Sequence, residues 1–152
     1  MRKRSDTFAF EQAEDSPGFL LWQATSLWQR EIRRALVAFD LTHSQFVLIA
    51  SIHWLTLGGN EVTQATLSQH SKIDPMTVSQ VLRALQVRKL VRRRAHSSDT
   101  RAKAVELTDA GRGVVHEAVK AVEKFDIKFF AALGSGLREF NTALKKLIKP
   151  GS

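Results

Sequence analysis

Apolar positions along the chain recur mostly at helical spacing, and polar capping residues mark where each run begins. Ser16 as N-cap and Pro17 at the first helical position predict a helix start. Leu21, Trp28, Ile32, Ala35, Leu36 and Phe39 then share one stripe, with Trp22 roughly 100° away and Asp40 interrupting the pattern. "THSQ" at 42–45 has the form of a capping box, and the run after it, "HSQFVLIASIHWLTL", is apolar nearly all round until "GGN" stops it. A helix of that kind is expected in the core. Thr63 predicts the cap of a short helix centred on Leu67. Asp74 followed by Pro75 predicts the start of a longer one.

On that longer helix Val78, Val81, Leu82 and Leu85 form the inward stripe, Met76, Ser79, Gln80 and Arg83 point the other way, and Thr77 lies at the edge. A short helix, a tight turn and a longer helix with a polar outward face is the helix-turn-helix pattern. "LVRRRA" and "AVEL" are short enough to pair as a β-hairpin around the loop 96–103, which makes a wing. Thr108 caps a long helix predicted to run to about Leu133, with Val115, Ala118, Val122, Phe125, Phe129 and Ala132 in phase. It would be about 40 Å long at ~1.5 Å per residue, and would protrude unless a partner covers it. "GSG" at 134–136 breaks it, and Leu137, Phe140, Leu144, Leu147 and Ile148 mark one face of a last helix.

Charge sharpens this picture. The net charge is +8, but residues 83–103 hold eight Lys/Arg against Asp99 alone, while the 82 residues before them are net −1. A solvated face mixes signs, so a concentrated basic window points to an anionic partner, most often nucleic acid. The absence of cysteine excludes a disulfide framework, a Cys-based zinc finger and a thiol redox sensor. The five histidines, His43, His53, His70, His96 and His116, are never three or four apart, so no metal site is expected. The charged start has no apolar core of the signal-peptide kind, and no apolar run approaches a membrane span. Nucleophile-elbow, zincin and P-loop motifs are absent, and there is no tyrosine. The expectation is therefore a non-enzyme without cofactors.

The helix order and the block "DPMTVSQVLRALQVRKLVRRR…SSDTRAKAVELTDAGR" at 74–112 resemble the MarR family of bacterial winged helix-turn-helix transcription regulators. The match covers a recognition helix, a wing with an Asp-x-Arg signature and an "LT-x-x-G" start to the long helix. The resemblance implies a mainly α fold with a small β-hairpin wing, in which N- and C-terminal helices form a dimerisation region. The charged start makes 1–15 an expected poorly ordered arm, and the resemblance extends as a single domain over 16–149. Segments 16–39 and 109–149 would dimerise, and 42–107 would form the DNA-binding lobe. A cytoplasmic homodimer on a pseudo-palindromic operator follows, most simply a repressor released by a small aromatic or anionic effector.

In that reading the helix 74–88 enters the major groove and the wing 91–107 the minor groove. Pro75 begins the helix. Gln80 can pair with adenine, and Arg83 with guanine or phosphate; Met76 and Thr77 offer methyl groups to thymine, and Ser79 suits a phosphate. Arg101 is the wing arginine the resemblance implies, a group favoured by a narrow A·T minor groove. Asp99 would orient it, and Arg92, Arg93, Arg94 and Lys103 would line nearby phosphates. The implied effector pocket lies between the first, second and long helices, with Trp22, His53 and Trp54 as candidates. Trp22 could equally serve dimer packing. His53 shares a face with Phe46, Ala50 and Leu57 and is expected to be buried, while Trp28 and Trp54 are expected in the core. A winged-helix protein–protein adaptor and a non-specific architectural DNA binder remain the alternatives.

Overall fold

The computed structural model describes residues 7–149. Of the arm expected to be loosely ordered, residues 1–6 lie outside the described residues, and Ala13–Asp15 form one 3-10 turn. The Ser16 side chain accepts the Phe19 amide and opens α1, Pro17–Leu36. A 3-10 turn, Val37–Phe39, extends α1 until Asp40 adopts a left-handed conformation at φ 52°. The Thr42/Gln45 capping box opens α2, His43–Leu57, as the sequence predicts. Thr63 caps α3, Gln64–Ser71, and Asp74 caps α4, Pro75–Val87.

β1, Val91–Ala95, and β2, Lys103–Leu107, pair antiparallel with Val91 opposite Leu107 and Ala95 opposite Lys103. A third strip of backbone joins them, because Val105 donates to the Val62 carbonyl at 2.7 Å and Thr63 bridges Ala104. The wing is thus tied to the link between α2 and α3. Thr108 then caps α5, Asp109–Phe130, and α6 spans Leu137–Ile148. The long helix ends three residues earlier than the periodicity suggests. A 3-10 stretch follows it, and the break falls at Gly134, where φ is +51°.

One core is built from Ile32 and Leu36 of α1, Leu48, Ile49 and Ile52 of α2, Leu67, Val78, Leu82 and Leu85, and Val115, Ala118 and Val122 of α5. The all-apolar α2 lies in it, except that Trp54 and Leu57 in its last turn are about 70% exposed. Their side chains face outward while Leu55 still packs on the core. The "LT-x-x-G" motif has a physical basis here. The Thr108 hydroxyl donates to the Lys89 carbonyl at 2.7 Å, and its amide donates to the Leu90 carbonyl at 3.1 Å. Gly111 lies so close to the Leu90 carbonyl that a Cβ would collide with it. The start of α5 is thereby locked to the end of the helix-turn-helix.

Beyond the core, α1 exposes Phe19, Leu20, Leu21 and Trp22, and α6 has no buried residue. Phe125, Phe129, Phe130 and Phe140 stack in a ladder with centroids 5.1–5.9 Å apart and join α5 to α6. A cavity of about 370 Å³ lies between these helices, lined by Ile127, Phe130, Leu137, Phe140 and Leu144 among others. Among the described residues no single helix is long and apolar enough to cross a membrane.

Candidate nucleic-acid interface

The helix-turn-helix is held by short-range polar contacts as well as by its apolar stripe. The Ser68 hydroxyl donates to the Ile73 carbonyl at 2.7 Å, Lys72 turns left-handed at φ 61°, and Gln64 donates to the Pro75 carbonyl at 3.2 Å. At the start of α4, Asp74 accepts both the Thr77 amide at 2.9 Å and the Thr77 hydroxyl at 2.6 Å. These bonds from Thr77 hold the Asp74 carboxyl below its ordinary value, so it stays charged at the positive end of the helix. Pro75, Met76, Gln80 and Arg83 are exposed, and Thr77 and Ser79 are half-buried. The Thr77 hydroxyl is thus already engaged by Asp74.

The wing divides its cations into two sets. Continuing the Thr63–Ala104 register puts Glu61 opposite Glu106, on the face that carries Arg92 and Arg94. Arg92 donates to Glu106, while Arg94 donates to Glu106 at 3.1 Å and to Glu61 at 2.9 Å. The two acids, unfavourable as neighbours, are bridged by one guanidinium. Arg88 turns away from the wing, donating to the Asp40 and Phe39 carbonyls and to Gln45, and so ties the end of α4 to the junction of α1 and α2. Arg83, Arg101 and Lys103 are exposed, and none has an ion pair among the described residues.

Two expectations about the wing change in detail. Asp99 does orient the loop, but through the backbone: its Oδ1 accepts the Arg101 amide at 2.9 Å, leaving the guanidinium free. Arg93 does not stand beside Arg92 and Arg94. Strand alternation turns it to the opposite face, across from Val105, and its Nε and Nη2 are buried without a hydrogen-bond partner among the described residues. It is poorly placed for the phosphate contact expected of it. The sequence reading also missed Glu61, Glu106 and His96. Glu106 could have been found from the hairpin register. Glu61 gives no local signal, since it meets Arg94 across 33 positions.

The effector candidates fare unevenly. Trp22 and Trp54 are each 70% exposed, so neither walls an enclosed pocket in this structure, and Trp54 is not a core residue. His53 is half-buried rather than buried. A different cluster occupies the space between α1, α2 and α5. The half-buried Trp28 donates its indole N–H to Asp126 at 2.7 Å and meets His43 edge-on at 5.2 Å. Burial and then nearby Arg33 push the His43 imidazole below its ordinary value against the pull of Asp126. Among the described residues no group of three or more His, Asp or Glu could hold a metal ion.

Residues 38–125 match the family model described as ArnR1-like, winged-helix domain. The chain belongs to that family. It is also 41% identical over 140 residues to the uncharacterized HTH-type transcriptional regulator YdcH of Bacillus subtilis (strain 168), covering 92% of this chain and 95% of that one. Among solved structures, a mutant MarR from E. coli complexed with operator DNA aligns at a TM-score of 0.79 and 22% identity. The alignment covers 95% of this chain and all of that one. CouR from Rhodococcus jostii RHA1, bound to p-coumaroyl-CoA, aligns at 0.81 and 19% identity over 94% and 99% of the two chains. This ArnR1-like protein is a transcriptional regulator with the MarR fold, as the resemblance at 74–112 implies.

Proposed function

We propose that this regulator is a homodimer that binds a pseudo-palindromic operator in the cytoplasm and represses until a small aromatic or anionic molecule releases it. The observation that carries the reading is the state of Arg101: exposed at the wing tip, on a backbone held by Asp99, with its guanidinium unpaired among the described residues. A cation ordered in that way favours an anionic groove. Gln80 and Arg83 on the exposed face of α4 supply base contacts, and Lys103 a phosphate contact. Arg92 and Arg94 support the hairpin first, through Glu106 and Glu61, and contribute to the DNA mainly as field. The exposed apolar faces of α1 and α6 favour a second copy as partner. The effector reading rests on Trp28, His43 and Asp126, which combine aromatic surface with polar atoms between α1, α2 and α5.

The test is fluorescence anisotropy with a duplex selected from a random-sequence pool, set against a shuffled duplex of the same composition. The selected site should win by ~10³-fold or more, and Arg101→Ala should remove most of that affinity without lowering the unfolding temperature. Equal binding to both duplexes would favour the architectural alternative, and no binding at all the adaptor.

A further inference from the structure

The loop that carries Arg101, "HSSDTR", has no Gly, Pro or Asn to impose a turn. Side chains hold it instead. Glu61, in the link between α2 and α3, accepts the Ser97 amide at 3.2 Å, the Ser97 hydroxyl at 2.9 Å and Arg94 at 2.9 Å. The same carboxylate lies 2.8 Å from His96 Nε2. The other ring nitrogen of His96, Nδ1, accepts the amides of Ser98 at 3.2 Å and Asp99 at 3.0 Å. A ring nitrogen that accepts two N–H groups carries no proton of its own. With Nδ1 accepting, Nε2 is the ring nitrogen left to face Glu61. Asp99 continues the chain, taking the Arg101 amide on its carboxylate at 2.9 Å and the Ala102 amide on its carbonyl at 3.2 Å. A run of hydrogen bonds, with the 2.8 Å contact between His96 and Glu61 as its first link, thus leads from the helix-turn-helix lobe to the backbone of Arg101.

We propose that Glu61 and His96 are positioning residues for DNA binding, a relay that fixes the wing tip to the lobe so that Arg101 is presented in one place before DNA arrives. This rests on the reading of Arg101 as a groove contact. The physical gain is preorganisation: a loop already ordered loses less freedom on binding, and its arginine keeps a constant offset from α4. The Nε2–H of His96 serves the tie to the lobe, and Nδ1 serves the turn itself. The side chains of Gln and Asn separate these two roles. In His96→Gln an amide can still reach Glu61, but nothing accepts the Ser98 and Asp99 amides. In His96→Asn an oxygen near the Nδ1 position can still accept them, but Glu61 is out of reach.

The experiment is a mutant cycle on the selected duplex, in the full chain, with unfolding temperatures measured alongside. In the wild-type background, His96→Gln and Glu61→Gln should each weaken binding about tenfold, and His96→Asn by less than His96→Gln. In the Arg101→Ala background the same substitutions should change affinity less than about twofold, because the group they position is gone. The ¹⁵N shifts of His96 in the free protein should mark Nδ1 as unprotonated and Nε2 as protonated. Equal losses in both backgrounds would overturn the relay and leave a general structural role. So would a greater loss for His96→Asn than for His96→Gln, or the opposite tautomer. No loss from His96→Gln and Glu61→Gln, with Arg101→Ala still damaging, would overturn the relay and spare the groove reading. An ineffective Arg101→Ala would overturn both.

Discussion

At the scale of single residues, the wing's acids matter as much as its arginines. The hydrogen bond from Arg94, helped by those from Ser97 and opposed by partial burial, brings the Glu61 carboxyl from 4.5 to about 2. Arg92, followed by Arg94, likewise holds Glu106 below its ordinary value. A carboxyl whose folded value lies below its unfolded one adds stability that is complete above the unfolded value, here about 4.5, and is lost as pH falls toward about 2. The contacts of Glu61 and Glu106 with Arg92 and Arg94 should therefore stay intact through mild acid. In an NMR titration the Glu61 carboxyl carbon should show a midpoint near 2, with the Ser97 amide shift following it. A midpoint at the ordinary value would mean that the contacts of Glu61 with Arg94 and Ser97 do not form in solution. Gly111 is the second sensitive point. Gly111→Ala forces a methyl group against the Leu90 carbonyl, backbone that cannot easily retreat. A loss of about 1–3 kcal/mol in urea unfolding is expected.

Elements are joined here by few but specific ties. Trp28 pins α1 to α5 through Asp126, with His43 of α2 against the same ring. Trp28→Phe keeps most of the packing and removes the indole donor, leaving Asp126 without it. A loss of about 1–2 kcal/mol by thermal or urea unfolding is expected, with near-native helix content. A cost close to zero would show that water replaces the bond. At the other end of the lobe, Thr108 caps α5 and also donates to Lys89, so one side chain joins the long helix to the turn after α4. The start of α5 and the end of α4 are thereby tied together. Arg88 makes the matching tie between the end of α4 and the end of α1.

For the whole molecule, the core takes in Ile32 and Leu36 of α1 but no residue of α6. α1 and α6 expose apolar side chains that a single copy leaves in water, next to the aromatic ladder from Phe125 to Phe140. Leu21→Glu places a charge in the exposed face of α1. Sedimentation velocity should show the dimer population shifted toward monomer, with operator affinity falling in step. An unchanged dimer would move the interface elsewhere. The charge distribution predicts a steep salt response, with a log–log slope of about −0.9 for each phosphate neutralised. Because Arg92 and Arg94 are already paired, that slope should be shallower than the eight cations of the basic window alone suggest.

Most element boundaries and caps were legible in the sequence, because they are local: Ser16, Thr42, Thr63, Asp74 and Thr108 each cap the helix predicted for them. The helix-turn-helix, the hairpin and the basic window are also statements about neighbours in the chain, and periodicity or composition reports them directly. What only the tertiary structure decided was which charges are already committed. Arg94 and Arg101 are both arginines of one basic window, yet the first is held by Glu61 and Glu106 while the second has no ion pair among the described residues. Glu61 lies 33 positions from Arg94 and 36 from Ser97, and nothing local announces the meeting. The exposure of Trp54 was settled in the same way. A helix that is apolar on every side cannot say which side faces the core, since that depends on where the other elements pack.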